Sequence, residues 1–141
     1  MKFLFCIMFF LQAMPVLAAD LIGGTPVKDG EYPEVIRINT GCTASVIGPR
    51  VILTAAHCTS ENGEIEPFLV KQQVFTARCT IAPDYDPNFP IGSQDIALCK
   101  TDRVINVRYA SVVGENEGVK KGDTSILIGY GCVRREPPRG G

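Results

Sequence analysis

The chain has one histidine in 141 residues, no Cys-x-x-Cys pair, no cluster of basic residues, and no internal repeat or low-complexity tract. Each absence removes a class of function. Without a Cys-x-x-Cys pair, and with His57 adjacent to Cys58, the common tetrahedral zinc arrangements are unsupported and no metal is expected. No cofactor is expected either. Fourteen basic and fifteen acidic residues give a formal net charge of −1. They form no basic stripe, so neither nucleic acid nor an anionic membrane surface is indicated as a partner. Helical periodicity is scarce. The longest apolar run, Phe3 to Leu11, is too short to span about 30 Å of hydrocarbon, and no stop-transfer cluster follows it, so it does not read as a membrane anchor.

That run is instead the core of a leader. Met1-Lys2 supplies a positive start, and the small residues of Val16-Leu17-Ala18-Ala19 supply a cleavage site, so residues 1–19 read as a secretory signal peptide. The mature protein is expected to be secreted or periplasmic. It retains 13 basic and 15 acidic residues, a charge of −2, and five cysteines: Cys42, Cys58, Cys79, Cys99 and Cys132. In an oxidising compartment five cysteines imply two disulfides and one thiol left over.

The mature chain is punctuated by Gly and Pro and reads as short strands. Glu34 to Asn39 partly alternates apolar with polar residues. Thr43–Ile47 and Arg50–Thr54 flank Gly48-Pro49 and predict a hairpin. Gln73–Ile81, Asp95–Lys100 and Ser125–Tyr130 are further strand candidates, the last apolar enough to be buried on both faces. Many short strands with little helix predict an all-β barrel or sandwich. In this layout Cys42 and Cys58 bracket the hairpin, a closure of about fifteen residues worth roughly 3 kcal/mol on chain entropy. Cys79 and Cys99 fall on consecutive strands, but sequence alone leaves three connectivities open for any four cysteines. Glu61, Glu64 and Glu66, within Thr59–Pro67, read as a solvated acidic loop rather than a calcium site.

His57 closes the apolar run Val51-Ile52-Leu53-Thr54-Ala55-Ala56-His57-Cys58. A strand end beside a disulfide can hold an imidazole rigidly, which a general base requires. The same placement suits a structural histidine. Asp95, taken alone, reads as a loop aspartate at a strand entry.

Five segments change the weighting. Leu21-Ile22-Gly23-Gly24, Cys42-Thr43-Ala44-Ser45-Val46-Ile47, Leu53-Thr54-Ala55-Ala56-His57-Cys58, Asp95-Ile96-Ala97-Leu98 and Gly129-Tyr130-Gly131 stand in the order found in trypsin/chymotrypsin-like serine proteases. From Leu21 to about Cys132 the chain resembles that family. The resemblance implies a trypsin-like antiparallel β-barrel at 20–113, the first of two, and a crossover with an incomplete second barrel at 114–141. It implies that His57 is the catalytic base and Asp95 the aspartate that orients it, acting on a protein or peptide substrate. It further implies that Cys42–Cys58 is the bridge beside the histidine, that Cys79–Cys99 is a pairing found in some members, and that Ser45 is structural. Cys132 is then expected to pair beyond Gly141.

Two departures from the family stand out. Its members carry Gly-Asp-Ser-Gly-Gly around the nucleophile, whereas none of the chain's five serines (Ser45, Ser60, Ser93, Ser111, Ser125) has a Gly-x-Ser-Gly context. The 141 residues alone are therefore expected to be inactive, either as part of a longer protease or as a non-catalytic homologue that binds a protein. The second departure is at the start: Leu21 matches the family's mature N-terminus, but Asp20 precedes it where Arg or Lys is usual. Activation by a trypsin-like cut is not indicated.

Overall fold

In the computed structural model residues 24–38, 41–88, 94–114 and 117–130 are described; the leader 1–19, Leu21, Gly131 and Cys132 lie outside the described residues. Six strands form one antiparallel sheet: β1 (Val35–Ile38), β2 (Cys42–Gly48), β3 (Val51–Thr54), β4 (Glu64–Val70), β5 (Gln73–Ile81) and β6 (Ala97–Thr101). Their order across the sheet is β1-β2-β3-β6-β5-β4, and β1 approaches β4 so that the sheet curls into a nearly closed barrel. Among the described residues helix is limited to a 3-10 turn at Ala56–Cys58. The all-β, trypsin-like barrel expected from the sequence is the observed architecture.

Period-two alternation sets what the barrel holds. Ile36 and Ile38 of β1, Ala44 and Val46 of β2, Ile52 and Thr54 of β3, and Ala97, Cys99 and Thr101 of β6 all point inward. Ile38, Val46, Ile52, Phe75 and Ile105 are almost completely enclosed. Burying each is worth about 1.5–3 kcal/mol relative to leaving it in water. Phe75 stacks on Phe68 with ring centroids 5.9 Å apart, and the Arg103 guanidinium lies over the Phe75 ring, 5.0 Å from its centroid.

β2 and β3 form the expected hairpin, closed by Gly48 opposite Val51 with Pro49-Arg50 at the turn. The turn also anchors the exit from β6: Arg50 donates through Nε and a terminal nitrogen to the Thr101 carbonyl, at 3.0 and 2.8 Å. Beyond β6, the Ile105 N–H bonds to the Pro49 carbonyl and the Ala110 N–H to the Val46 carbonyl, each at 2.8 Å. Arg108 in this segment grips Glu34 at 2.7 Å. That hydrogen bond holds the Glu34 carboxyl below its ordinary value, against a smaller opposing effect of burial.

Two expectations needed revision. Thr59–Pro67 is not a free acidic loop, because β4 begins at Glu64. A bulge between Ile65 and Phe68 absorbs Glu66-Pro67, so Ile65 and Phe68 both face the core although they are three residues apart. A proline can stand at such a bulge because it has no ladder N–H to donate. Glu64 pairs with Arg78 at 2.8 Å across the β4–β5 hairpin. The second revision concerns Ser125–Tyr130, which is not a strand, and Ile126 and Leu127 are about three-quarters exposed. An apolar run becomes a strand only where a neighbour can complete its backbone hydrogen bonds, and none of the described strands pairs with it. The segment is tethered at its end, where the Tyr130 N–H donates to Thr43 Oγ1 at 3.0 Å and its hydroxyl to the Val35 carbonyl at 3.3 Å.

Candidate active site

Antiparallel pairing brings the site together. β3 and β6 are neighbours, with Thr54 opposite Ala97. Continuing that register past both strand ends sets Asp95 across from Ala56, one residue from His57. The two residues are 38 positions apart in sequence, yet the strand pairing makes them adjacent.

His57 sits in the 3-10 turn directly after β3. Ala56, almost fully buried, plugs the turn into the core, and Cys58 bonds to Cys42 at the start of β2. Thr59 closes the turn by donating its N–H and its hydroxyl to the Ala56 carbonyl, at 3.0 and 2.8 Å. Thr54, an inward-facing polar residue, donates its hydroxyl to the Thr43 carbonyl at 2.9 Å and so ties β3 to β2 just ahead of the turn. Backbone, disulfide and hydroxyls together leave the histidine little room to move.

Asp95 holds His57 twice. Its Oδ1 accepts the His57 backbone N–H at 2.9 Å, and its Oδ2 lies 2.6 Å from the ring Nδ1. The Asp95 side chain is 14% exposed and that of His57 52%. Burial pushes the Asp95 carboxyl up, but the His57 backbone N–H, its ring, its charge and the Ala56 N–H together outweigh burial and hold it below the usual carboxylate value. A carboxylate at Nδ1 keeps the proton on that nitrogen and directs the Nε2 lone pair outward. The arrangement can therefore take a proton at Nε2 and stabilise the cation that results.

Both sequence-derived disulfides are present, Cys42–Cys58 and Cys79–Cys99. Cys79 stands directly opposite Cys99 in the β5–β6 register. Cys42, His57 and Cys58 place three metal-binding atoms within 4.8 Å of one another. The two sulfurs are bonded to each other, so the cluster offers no thiolate for a zinc ion. Ser45 lies on β2 between Val35 and Leu53, and the His57 ring bonds to Asp95 rather than to this serine. Sequence reasoning passed over Thr54 and Thr59. The available signal was a threonine at an inward strand position, and another immediately after the turn, each needing a backbone acceptor.

Comparison with known proteins bears on the family and the fold. The family model for Trypsin matches residues 21–139. A trypsin-like protease of Streptomyces glaucescens is 28% identical over 130 residues, covering 82% of this chain and 45% of that protein. The solved structure of GrC superimposes with a TM-score of 0.57 at 24% identity, covering 73% of this chain and 53% of GrC, a likeness of fold. The chain spans about half the length of these relatives. By the extent of the family match, it belongs to the trypsin family.

Proposed function

We propose that these residues are the N-terminal part of a secreted serine endopeptidase, with His57 as general base and Asp95 as the residue that orients it. The observation that carries this reading is the double grip of Asp95 on His57, at 2.9 and 2.6 Å. In this mechanism Nε2 takes the proton of a serine hydroxyl as that oxygen attacks the peptide carbonyl. The charged ring is stabilised by an Asp95 that stays ionised, and Nε2 then returns the proton to the leaving amine. The substrate is a protein or peptide, and the leader at 1–19 directs export. Among the described residues no helix is long and apolar enough to cross a membrane.

Residues 114–141 are read as the crossover and the start of a second barrel, which would cover the exposed Ile126 and Leu127. The nucleophile and the specificity pocket belong to that second barrel. Triad members act as a unit, so the 141 residues alone hydrolyse no peptide bond. The test is to translate the reading frame beyond codon 141 and express what it encodes. A Gly-Asp-Ser-Gly-Gly segment, a cysteine able to pair with Cys132, and peptide hydrolysis abolished by His57→Ala support the reading. A frame that encodes none of these contradicts it and favours a protein-binding homologue instead.

A further inference from the structure

Of the chain's five asparagines, Asn62 alone precedes a glycine. The other four are followed by Thr40, Phe89, Val107 and Glu117, each with a side chain that crowds the backbone nitrogen next to the asparagine. Glycine has no Cβ, so the Gly63 nitrogen can close on the Asn62 side-chain carbonyl without obstruction. Asp29 also precedes a glycine, but as a carboxylate it resists attack and has no ammonia to lose. Asn62 is exposed in the turn that leads into β4, between Glu61 and Glu64. Carboxylates are costly to dehydrate, so this turn stays wet.

We propose that Asn62–Gly63 is a self-modifying site at which the chain converts Asn62 to isoaspartate, and that the surrounding turn both times the reaction and is broken by its product. No residue beyond Cys79 takes part, and the proposal is independent of the peptidase reading.

The Gly63 nitrogen loses its proton to solvent and attacks the side-chain carbonyl carbon of Asn62. The bond from that carbon to the amide nitrogen breaks, and the nitrogen leaves with its electron pair, taking up a proton as ammonia. A succinimide ring remains, and water opens it. Addition at the side-chain carbonyl carbon breaks that carbon's bond to nitrogen and gives aspartate at position 62. Addition at the backbone carbonyl carbon leaves the chain running through the side chain, which is isoaspartate. Amide and water become acid and ammonia, with no oxidant or reductant.

The fold holds the attacking nitrogen back. The Gly63 N–H donates to the Ser60 carbonyl at 2.8 Å, and it cannot lose that proton without giving up the bond. The turn is closed further by the Ser60 N–H on the Glu64 carbonyl at 2.8 Å and by the Glu64 N–H on Ser60 Oγ at 3.0 Å. Reaction therefore waits for local opening of residues 60–64.

Isoaspartate adds a methylene to the backbone between positions 62 and 63, and Gly63 has no room to absorb it. Gly63 is buried, its carbonyl accepts the Cys79 N–H at 2.6 Å, and one carbon added at its Cα would lie 2.6 Å from the Cys79 carbonyl oxygen. The lengthened turn keeps either the Ser60 closure or the Cys79 contact, so the start of β4 comes away from β5. Opening permits the reaction, and the reaction prevents reclosing. The site is a one-way clock on the life of the folded chain.

The intact chain is aged in warm, mildly alkaline oxygen-18 water and mapped by peptide mass analysis, beside the same chain reduced and unfolded in urea, and beside Ser60→Ala. Isoaspartate and aspartate carrying heavy oxygen should appear at position 62 before any change at the other asparagines. The folded chain should react on the order of tenfold more slowly than the unfolded one. Ser60→Ala, which removes the acceptor of the Glu64 N–H, should react faster than the parent when folded and equally fast when unfolded. Pulse proteolysis of the aged mixture in partial urea should then destroy isoaspartyl molecules first. The aspartyl product has the same charge on a normal backbone, so it serves as the internal control. No isoaspartate at position 62, earlier modification of another asparagine, or equal rates in the folded and unfolded chain each overturn the proposal. So do equal folded rates for Ser60→Ala and the parent, or survivors of proteolysis as rich in isoaspartate as the starting mixture.

Discussion

Replacing Asp95 should cost stability in a graded way, because its carboxylate serves two donors at once. It accepts the His57 N–H at 2.9 Å and faces Nδ1 at 2.6 Å. With 14% of the side chain exposed, water cannot fully replace it. Hydrogen bonds to a charged group contribute about 1.5–3 kcal/mol each. Asp95→Ala removes both and leaves the His57 N–H poorly satisfied, a loss of about 3 kcal/mol after allowing for partial water access. Asp95→Asn keeps an oxygen for the backbone donor but turns an amide nitrogen toward Nδ1, a loss of about 1–2 kcal/mol.

The sign of the pH dependence follows from the depressed Asp95 acidity. A carboxyl whose folded value lies below its unfolded value of about 3.9 contributes fully above that pH and loses its contribution as pH falls through the folded value. Urea unfolding of both variants and the parent, from pH 7 down to pH 3, measures the gap. It should shrink below about pH 4 and run Ala larger than Asn, with unchanged slopes against denaturant. A gap under about 0.5 kcal/mol for Asp95→Ala at pH 7, or one that does not shrink in acid, would refute the reasoning.

Three further outcomes follow from the barrel. Phe75→Ala, at a nearly enclosed ring stacked on Phe68, should cost about 3–5 kcal/mol in chemical unfolding. Lys71 and Gln72 join β4 to β5 with φ of 47° and 66°, so the double change Lys71→Asn and Gln72→Gly should stabilise by about 1 kcal/mol and raise the melting temperature. Gly63 has φ of 70°, and an added Cβ would lie 2.6 Å from the Cys79 carbonyl oxygen; Gly63→Ala should lower the urea midpoint by the equivalent of at least about 1 kcal/mol.

Legibility in the sequence tracked how local the cause was. The β2–β3 hairpin is announced by Gly48-Pro49 between apolar runs, and β5 by a nine-residue run rich in β-branched and aromatic residues. β4 was hidden because its bulge spaces the core positions Ile65, Phe68 and Val70 irregularly and because glutamates and a proline interrupt it. The β4–β5 turn gives no signal either, since lysine and glutamine stand where asparagine and glycine are usual. Ser125–Tyr130 misled in the opposite direction: composition suggested a strand, but the backbone partners that make one are not a property of the run itself. The meeting of His57 with Asp95 depends on β3 pairing with β6, a long-range register that no window of sequence contains. Only the ordered family segments pointed to it.

Nitrogen-15 NMR of the His57 ring tests the central claim, that this chain carries the oriented base of a serine peptidase, most directly. In the uncharged ring the account predicts a single tautomer, with the proton on Nδ1 and Nε2 bare. Asp95→Asn should move the proton to Nε2. A ring protonated at Nε2 in the unmutated chain, or one averaging between tautomers, would contradict it.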